Sequence, residues 1–224
     1  MSRSGKDPVR RVRKARGRSE SSRRWLERQL NDPWVKQAKQ DGYRSRAAYK
    51  LKQVDEKFDL LRGAKRVVDL GVAPGSWAQL VREVAPKAEL VGIDLLETEP
   101  IEGVTLLQMD FMDDAAPTAL TDALGGPPDL VLSDMAANTT GHKTTDQLRT
   151  AGLVETAVHF AIETLVPGGN FVSKVFAGGT DAELLAILKQ HFKTVKHAKP
   201  EASRKGSPEW YVVAKGFKGR GQAI

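Results

Sequence analysis

From Arg66 onward the chain alternates short β-prone runs with stretches of helical periodicity, and this alternation constrains the fold more than any other feature. The runs are RVVDL (66–70), ELVGID (89–94), VTLLQMD (104–110), DLVLSD (129–134), NFVSKVF (170–176), TVKHAK (194–199) and EWYVVAKG (209–216). Helical stretches fall near 76–86, 115–124, 146–165 and 180–191. Strands alternating with helices predict an α/β domain, a mostly parallel seven-stranded sheet covered by helices on both faces. The last two runs are joined only by PEASRKGSP, which predicts an antiparallel hairpin at one edge. Upstream, Asp32-Pro33 marks a helix start followed by WVKQAKQ, and Ser45 to Phe58 places Ala48, Leu51, Val54 and Phe58 at helical spacing.

The turn after the first run, LGVAPGSW, carries Gly71 and Gly75, which let a backbone turn tightly and approach a ligand at the carboxyl edge of a parallel sheet. It is not a phosphate-binding loop of the Walker type, because no Lys-Ser/Thr pair follows. Asp94, Asp110 and Asp134 stand at or near the ends of the next three runs, and Asp69 stands within the first, so four carboxylates gather at one edge. A single Asp at a strand end is usually a turn former or helix cap. Four in succession suit the ribose hydroxyls of a nucleoside, and their crowding without compensating Lys or Arg disfavours a polyphosphate. S-adenosylmethionine, which joins a ribose to a sulfonium, meets these conditions. Magnesium is the rival for the carboxylates; the four His residues, at 142, 159, 191 and 197, have no ligand spacing, and no metal is expected.

Lys174 sits in the apolar run NFVSKVF. Successive strand residues alternate faces, so it points with Val172 and Phe176 toward a covering layer. A lone lysine in such a place packs its stem on the sheet and sends its amine to the strand end.

Charge is unevenly spread. Residues 1–30 hold 11 Lys/Arg against 3 Asp/Glu, residues 31–66 hold 10 against 5, residues 67–195 hold 7 against 18, and residues 196–224 hold 7 against 2. An acidic centre flanked by basic ends fits a domain that meets a polyanion with one surface. Residues 1–30 read as a basic, unstructured RNA-binding extension, with structure beginning between Trp25 and Asp32, and residues 31–224 as one domain. The chain has no cysteine, hence no disulfide or thiolate metal site. With no apolar run of the roughly 18 residues that span a bilayer and no signal sequence, it reads as a cytoplasmic protein.

DLGVAPGSW, DMAAN and KVF together resemble the FtsJ/RrmJ-type 2′-O-ribose RNA methyltransferases. The resemblance runs from about Asp41 to Lys218 through YRSRAAYKL, IDLL, MDFMD, LVPGGNFVSKVF, KPEASR and EWYVVAKG. It implies a Rossmann-like S-adenosylmethionine-dependent methyltransferase fold and a catalytic tetrad of Lys50, Asp134, Lys174 and Glu209, with Lys174 as general base. It also implies cofactor binding by Gly75, Trp77, Asp94, Asp110 and Asp134, to which the strand-end pattern adds Gly71 and Asp69. The branch it points to methylates a uridine of 23S ribosomal RNA, so the implied partner is rRNA within the large ribosomal subunit, met by a monomer. Arg44, Arg46, Lys36, Lys39 and KPEASRKG are the expected phosphate contacts. Methylation of tRNA or an mRNA cap, or a non-catalytic role in ribosome assembly, stand as alternatives. Val72, Ser76 and Ala137 depart from the family pattern.

Overall fold

The computed structural model describes residues 20–137, 143–176, 182–204 and 206–221. Seven strands form one sheet: β1 (Arg66–Leu70), β2 (Glu89–Asp94), β3 (Thr105–Gln108), β4 (Leu130–Ser133), β5 (Asn170–Phe176), β6 (Phe192–Ala198) and β7 (Glu209–Phe217). Their spatial order is β3-β2-β1-β4-β5-β7-β6. Strands β1 to β5 pair in parallel, whereas β7 runs antiparallel to both β5 and β6. The expected hairpin is therefore present at the edge, but its later strand is the inner one.

Helices cover both faces. The strands bury opposite sets of side chains because they alternate. Val68, Leu70, Val131, Phe171 and Val175 pack with α5 (Ala116–Leu124), α6 (Lys143–Thr164) and α7 (Ala182–His191). Val67, Leu90, Leu132, Val172 and Val213 pack with α3 (Ala47–Phe58) and α4 (Ser76–Val84). On α6 the buried residues Val154, Ala157, Val158 and Ala161 recur at three- and four-residue spacing, the stripe a sheet-covering helix needs. Among the described residues no helix is long and apolar enough to cross a membrane.

Two further helices precede α3. In α2 (Pro33–Asp41), Asp32 caps the start by accepting from the Trp34 amide at 3.0 Å, Pro33 holds the first helical position, and Gly42 ends the helix at φ 80°. Helix α1 spans Glu20–Asn31, so residues 20–30 of the stretch expected to be unstructured are helical, and the helix starts before the expected Trp25–Asp32 boundary. Twelve residues are marginal as an isolated helix; α1 packs on α2, and its Leu26 is half-buried. Residues 1–19 of the basic extension lie outside the described residues.

Smaller differences are local. Strand β3 stops at Gln108, where Met109 and Asp110 turn away, and β6 starts at Phe192, directly from the end of α7.

Candidate active site

The carboxyl edge of the parallel strands carries a cavity of about 330 Å³ lined by Gly71, Ala73, Asp94, Asp110, Asp134 and Leu153, among others. The turn after β1 forms its floor. Gly71 has φ 81°, and a Cβ there would stand 2.9 Å from the Met135 Cγ, so the position excludes any side chain. The Gly71 and Val72 amides donate to the Ile93 carbonyl at 2.9 and 3.2 Å, and the Ala73 amide donates to Asp94 Oδ2 at 2.9 Å. Asp94 Oδ1 accepts from Leu96 N at 2.9 Å, and Asp110 Oδ1 from Met112 N at 2.9 Å. Both carboxylates are thus aimed by backbone and keep lone pairs for a ligand. Beside them Leu95, Leu96 and Met112 stay largely open to water, an apolar rim suited to a flat base.

Three expected cofactor residues lie outside that lining. Asp69 is fully buried in β1 and neither of its oxygens meets a donor; burial first, then the Asp134 and Asp94 carboxylates, push it up to about 8. Gly75 begins α4. Trp77 is buried, donates its indole N–H to the Ala47 carbonyl at 2.9 Å, and packs 5.7 Å from the Tyr211 ring, joining α4 to α3 and β7.

The four residues of the expected tetrad come together on the α3/α4 face as two ion pairs. Lys174, only 5% exposed, donates to the Asp134 carbonyl at 2.5 Å and stands 3.3 Å from Asp134 Oδ1. Its amine ends on the half-buried Asp134 instead of running out to solvent. Lys50, 8% exposed on α3, donates to Glu209 Oε2 at 3.0 Å. Burial alone would raise the Asp134 carboxyl, but the Lys174 and Lys50 ammonium groups, with hydrogen bonds from Tyr211 and Lys174, hold it below the usual carboxylate range. Tyr211 donates to Asp134 Oδ1 at 2.8 Å. Sequence reasoning missed this tyrosine, although it lies two residues beyond Glu209 on the same face of β7 and so was legible from strand alternation. Among the described residues no three His, Asp or Glu side chains converge as a metal site would require.

A second cleft, of about 560 Å³, opens beside this pair and is lined by Arg28, Arg46, Lys50, Arg204 and Glu209, among others. Asp32 organises its walls. Arg46 pairs with Asp32 and donates to the Ala202 carbonyl, and the Arg204 Nε stands 3.5 Å from the same carboxylate. The Ala202 amide in turn donates to Gln53 Oε1 at 2.9 Å. Of the expected phosphate contacts, Arg46, Arg204 and Gly206 line this cleft and Lys36 and Lys39 do not, whereas Arg44 turns away from it and Lys205 lies outside the described residues.

The profile of the FtsJ-like methyltransferase family matches residues 43–217, which contain the smaller cavity, all of the basic cleft's lining but Arg28 and Gln29, and all four tetrad positions. The chain belongs to the FtsJ-like methyltransferases. Among relatives of this FtsJ-like methyltransferase, the ribosomal RNA large subunit methyltransferase E of Erythrobacter litoralis is 76% identical over 98% of this chain and 100% of its own. The protein of the same name from Novosphingobium aromaticivorans is 72% identical over 98% and 99%. A Plasmodium falciparum crystal structure, assigned to the ribosomal RNA methyltransferases, superposes with a TM-score of 0.69 at 33% identity, covering 80% of this chain and all of its own. The fibrillarin/Nop5p complex shares the fold, with a TM-score of 0.51 at 18% identity over 78% of this chain and 85% of its own.

The FtsJ-like methyltransferase accommodates two of its departures from the family pattern in its packing. Val72 is buried among the α3/α4-face residues. The Ser76 hydroxyl meets the Ser45 hydroxyl at 2.5 Å, tying the start of α4 to the segment that leads into α3.

Proposed function

We propose that this methyltransferase transfers a methyl group from S-adenosylmethionine to the ribose 2′-hydroxyl of a uridine in large-subunit (23S) ribosomal RNA, with Lys174 as general base. One observation carries the reading: Asp134, paired with Lys174, lines the smaller cavity, Lys50 and Glu209 line the basic cleft as a second ion pair, and the Lys50 charge acts on the Asp134 carboxylate. The smaller cavity suits the cofactor, because its carboxylates are backbone-aimed, its floor admits only glycine at position 71, and its rim is apolar. Asp94 and Asp110 would hold the ribose, Leu95, Leu96 and Met112 the base, and Asp134 the remainder. Bound there, S-adenosylmethionine supplies an electrophilic sulfonium methyl.

The chain's own residues do the rest. A ribose hydroxyl is a weak nucleophile, and a base within hydrogen-bond reach raises its reactivity as the proton leaves. The Lys174 amine takes that proton at Nζ, and Asp134, through its carbonyl and Oδ1, fixes the amine's direction and stabilises the ammonium that forms. A lysine accepts a proton only as the neutral amine. Arg28, Arg204 and the basic residues of 1–30 would contact phosphates, and the 2′-hydroxyl distinguishes RNA from DNA. The substrate assignment draws on the names of the relatives above.

The test is to incubate the protein and labelled S-adenosylmethionine with isolated large ribosomal subunits, naked rRNA and tRNA, and to map the modified nucleotide. Label at a uridine 2′-O of the large-subunit RNA is expected. Label only in tRNA would overturn the substrate, and label in none would favour an assembly factor without catalysis.

A further inference from the structure

Arg44 carries a cationic side chain in the basic segment before α3, where phosphate contact is the first expectation. Its guanidinium is committed elsewhere. Nη1 donates to the Pro74 carbonyl at 3.0 Å and to the Glu99 carbonyl at 2.7 Å, and Nη2 donates to the Pro100 carbonyl at 2.9 Å, using three of the five N–H groups an arginine has. These acceptors belong to the two loops whose preceding residues line the smaller cavity. Pro74 follows Ala73, which lines one wall; Glu99 and Pro100 follow the Asp94–Leu96 stretch that lines the other.

The approach is tight by construction. Gly75 has φ 104°, and a Cβ there would stand 3.0 Å from Arg44 Nη1 and 2.5 Å from Ile101 Cδ1, so the guanidinium rests on bare backbone. The segment bearing Arg44 is itself fastened to α4: the Arg44 amide donates to Gln79 Oε1 at 2.8 Å, Gln79 Nε2 donates to the Gly42 carbonyl at 3.0 Å, and the Tyr43 hydroxyl bonds to Glu83. Arg44 is thus a bolt run from the substrate-side segment, six residues before Lys50, through both loops that frame the cavity.

We infer that Arg44 is a positioning residue for the cofactor cavity, setting the separation of the glycine turn and the β2–β3 loop, and not a contact to RNA phosphate. The inference rests on the S-adenosylmethionine reading of that cavity. A planar, delocalised donor fork can serve three carbonyls from two loops, whereas a lysine ammonium in its place reaches fewer of them at once.

The experiment compares wild type, Arg44→Met and Arg44→Lys as full chains. Calorimetric titration with S-adenosylmethionine gives cofactor affinity, filter retention of rRNA across a salt series gives RNA affinity, and thermal unfolding gives stability. Arg44→Met should weaken cofactor binding roughly tenfold, as loss of several charge-assisted hydrogen bonds at a partly exposed site would, with Arg44→Lys between the two. RNA affinity and the slope of its logarithm against log salt should stay as in wild type. A slope shallower by roughly one, with cofactor affinity unchanged, would mark Arg44 as a phosphate contact and overturn the inference. Lower thermal stability with unchanged cofactor affinity would overturn it equally, as a purely structural effect. Wild type that bound no S-adenosylmethionine would sink the cofactor reading itself, an outcome distinct from normal wild-type binding with an unaffected variant.

Discussion

Lys174 and Tyr211 sit directly opposite each other across the β5–β7 pair, and both side chains end on the same oxygen, Asp134 Oδ1. Opposed residues of an antiparallel pair share a face, so two strands far apart in sequence deliver an amine and a phenol to one carboxylate. Tyr211 is fully buried and Lys174 only 5% exposed.

Replacing that amine should separate chemistry from binding. For Lys174→Met, methyl transfer to rRNA should fall by about 10²–10⁴-fold, the usual cost of losing a general base, while titration with S-adenosylmethionine shows wild-type affinity. Turnover at the normal rate would remove Lys174 from the role.

Tyr211→Phe preserves the buried ring and removes one donor to Asp134. Since that hydrogen bond helps to lower the Asp134 carboxyl, its loss should raise the carboxyl. Carbon-13 titration of the aspartate carboxyls below pH 5 checks the direction; an Asp134 signal that titrates identically in the two proteins would refute it.

The fully buried, unpartnered Asp69 should make the protein less stable as pH rises. Its folded pKa of about 8 exceeds the unfolded value of about 3.9, so the folded state keeps a proton that the unfolded chain has released. Its stabilising share is complete below about pH 4 and lost progressively toward pH 8, at a slope of at most about 1.4 kcal/mol per unit. Asp69→Asn keeps the shape without the titration. Urea unfolding at pH 5, 6.5 and 8 should show the variant gaining on wild type at each step, and parallel curves would rule this out.

Asp32→Ala removes a helix cap and the carboxylate shared by Arg46 and Arg204. The cap alone is worth about 1 kcal/mol, and leaving two arginines without their partner should add to the loss. Urea unfolding should register that loss. The KM for rRNA should rise while cofactor affinity holds; a change confined to cofactor binding would place Asp32 on the wrong side of the molecule.

Much of the scaffold was legible from local pattern. RVVDL, ELVGID and NFVSKVF coincide with β1, β2 and β5 at both ends, because buried parallel strands are dense in β-branched and apolar residues and stop at glycine or polar turns. The meeting of Lys50, Asp134, Lys174 and Glu209 was legible only through the family resemblance, since no local periodicity links a helix before the sheet to its last strand. What escaped was set by distant partners. The Asp32–Arg46–Arg204 cluster joins three separate segments, and Arg44 looks like any basic surface residue until the Pro74, Glu99 and Pro100 carbonyls are seen to converge on it. The start of α1 escaped for the opposite reason: its charge density argues for an unstructured chain, whereas the helix packs on α2.

The placement of β7 between β5 and β6 has a consequence for shortened chains. Lys50 meets the Glu209 carboxylate, and Asp134 the Tyr211 phenol, only through the last strand. A chain cut short before Glu209 would keep the residues that line the smaller cavity but lose both of these partners.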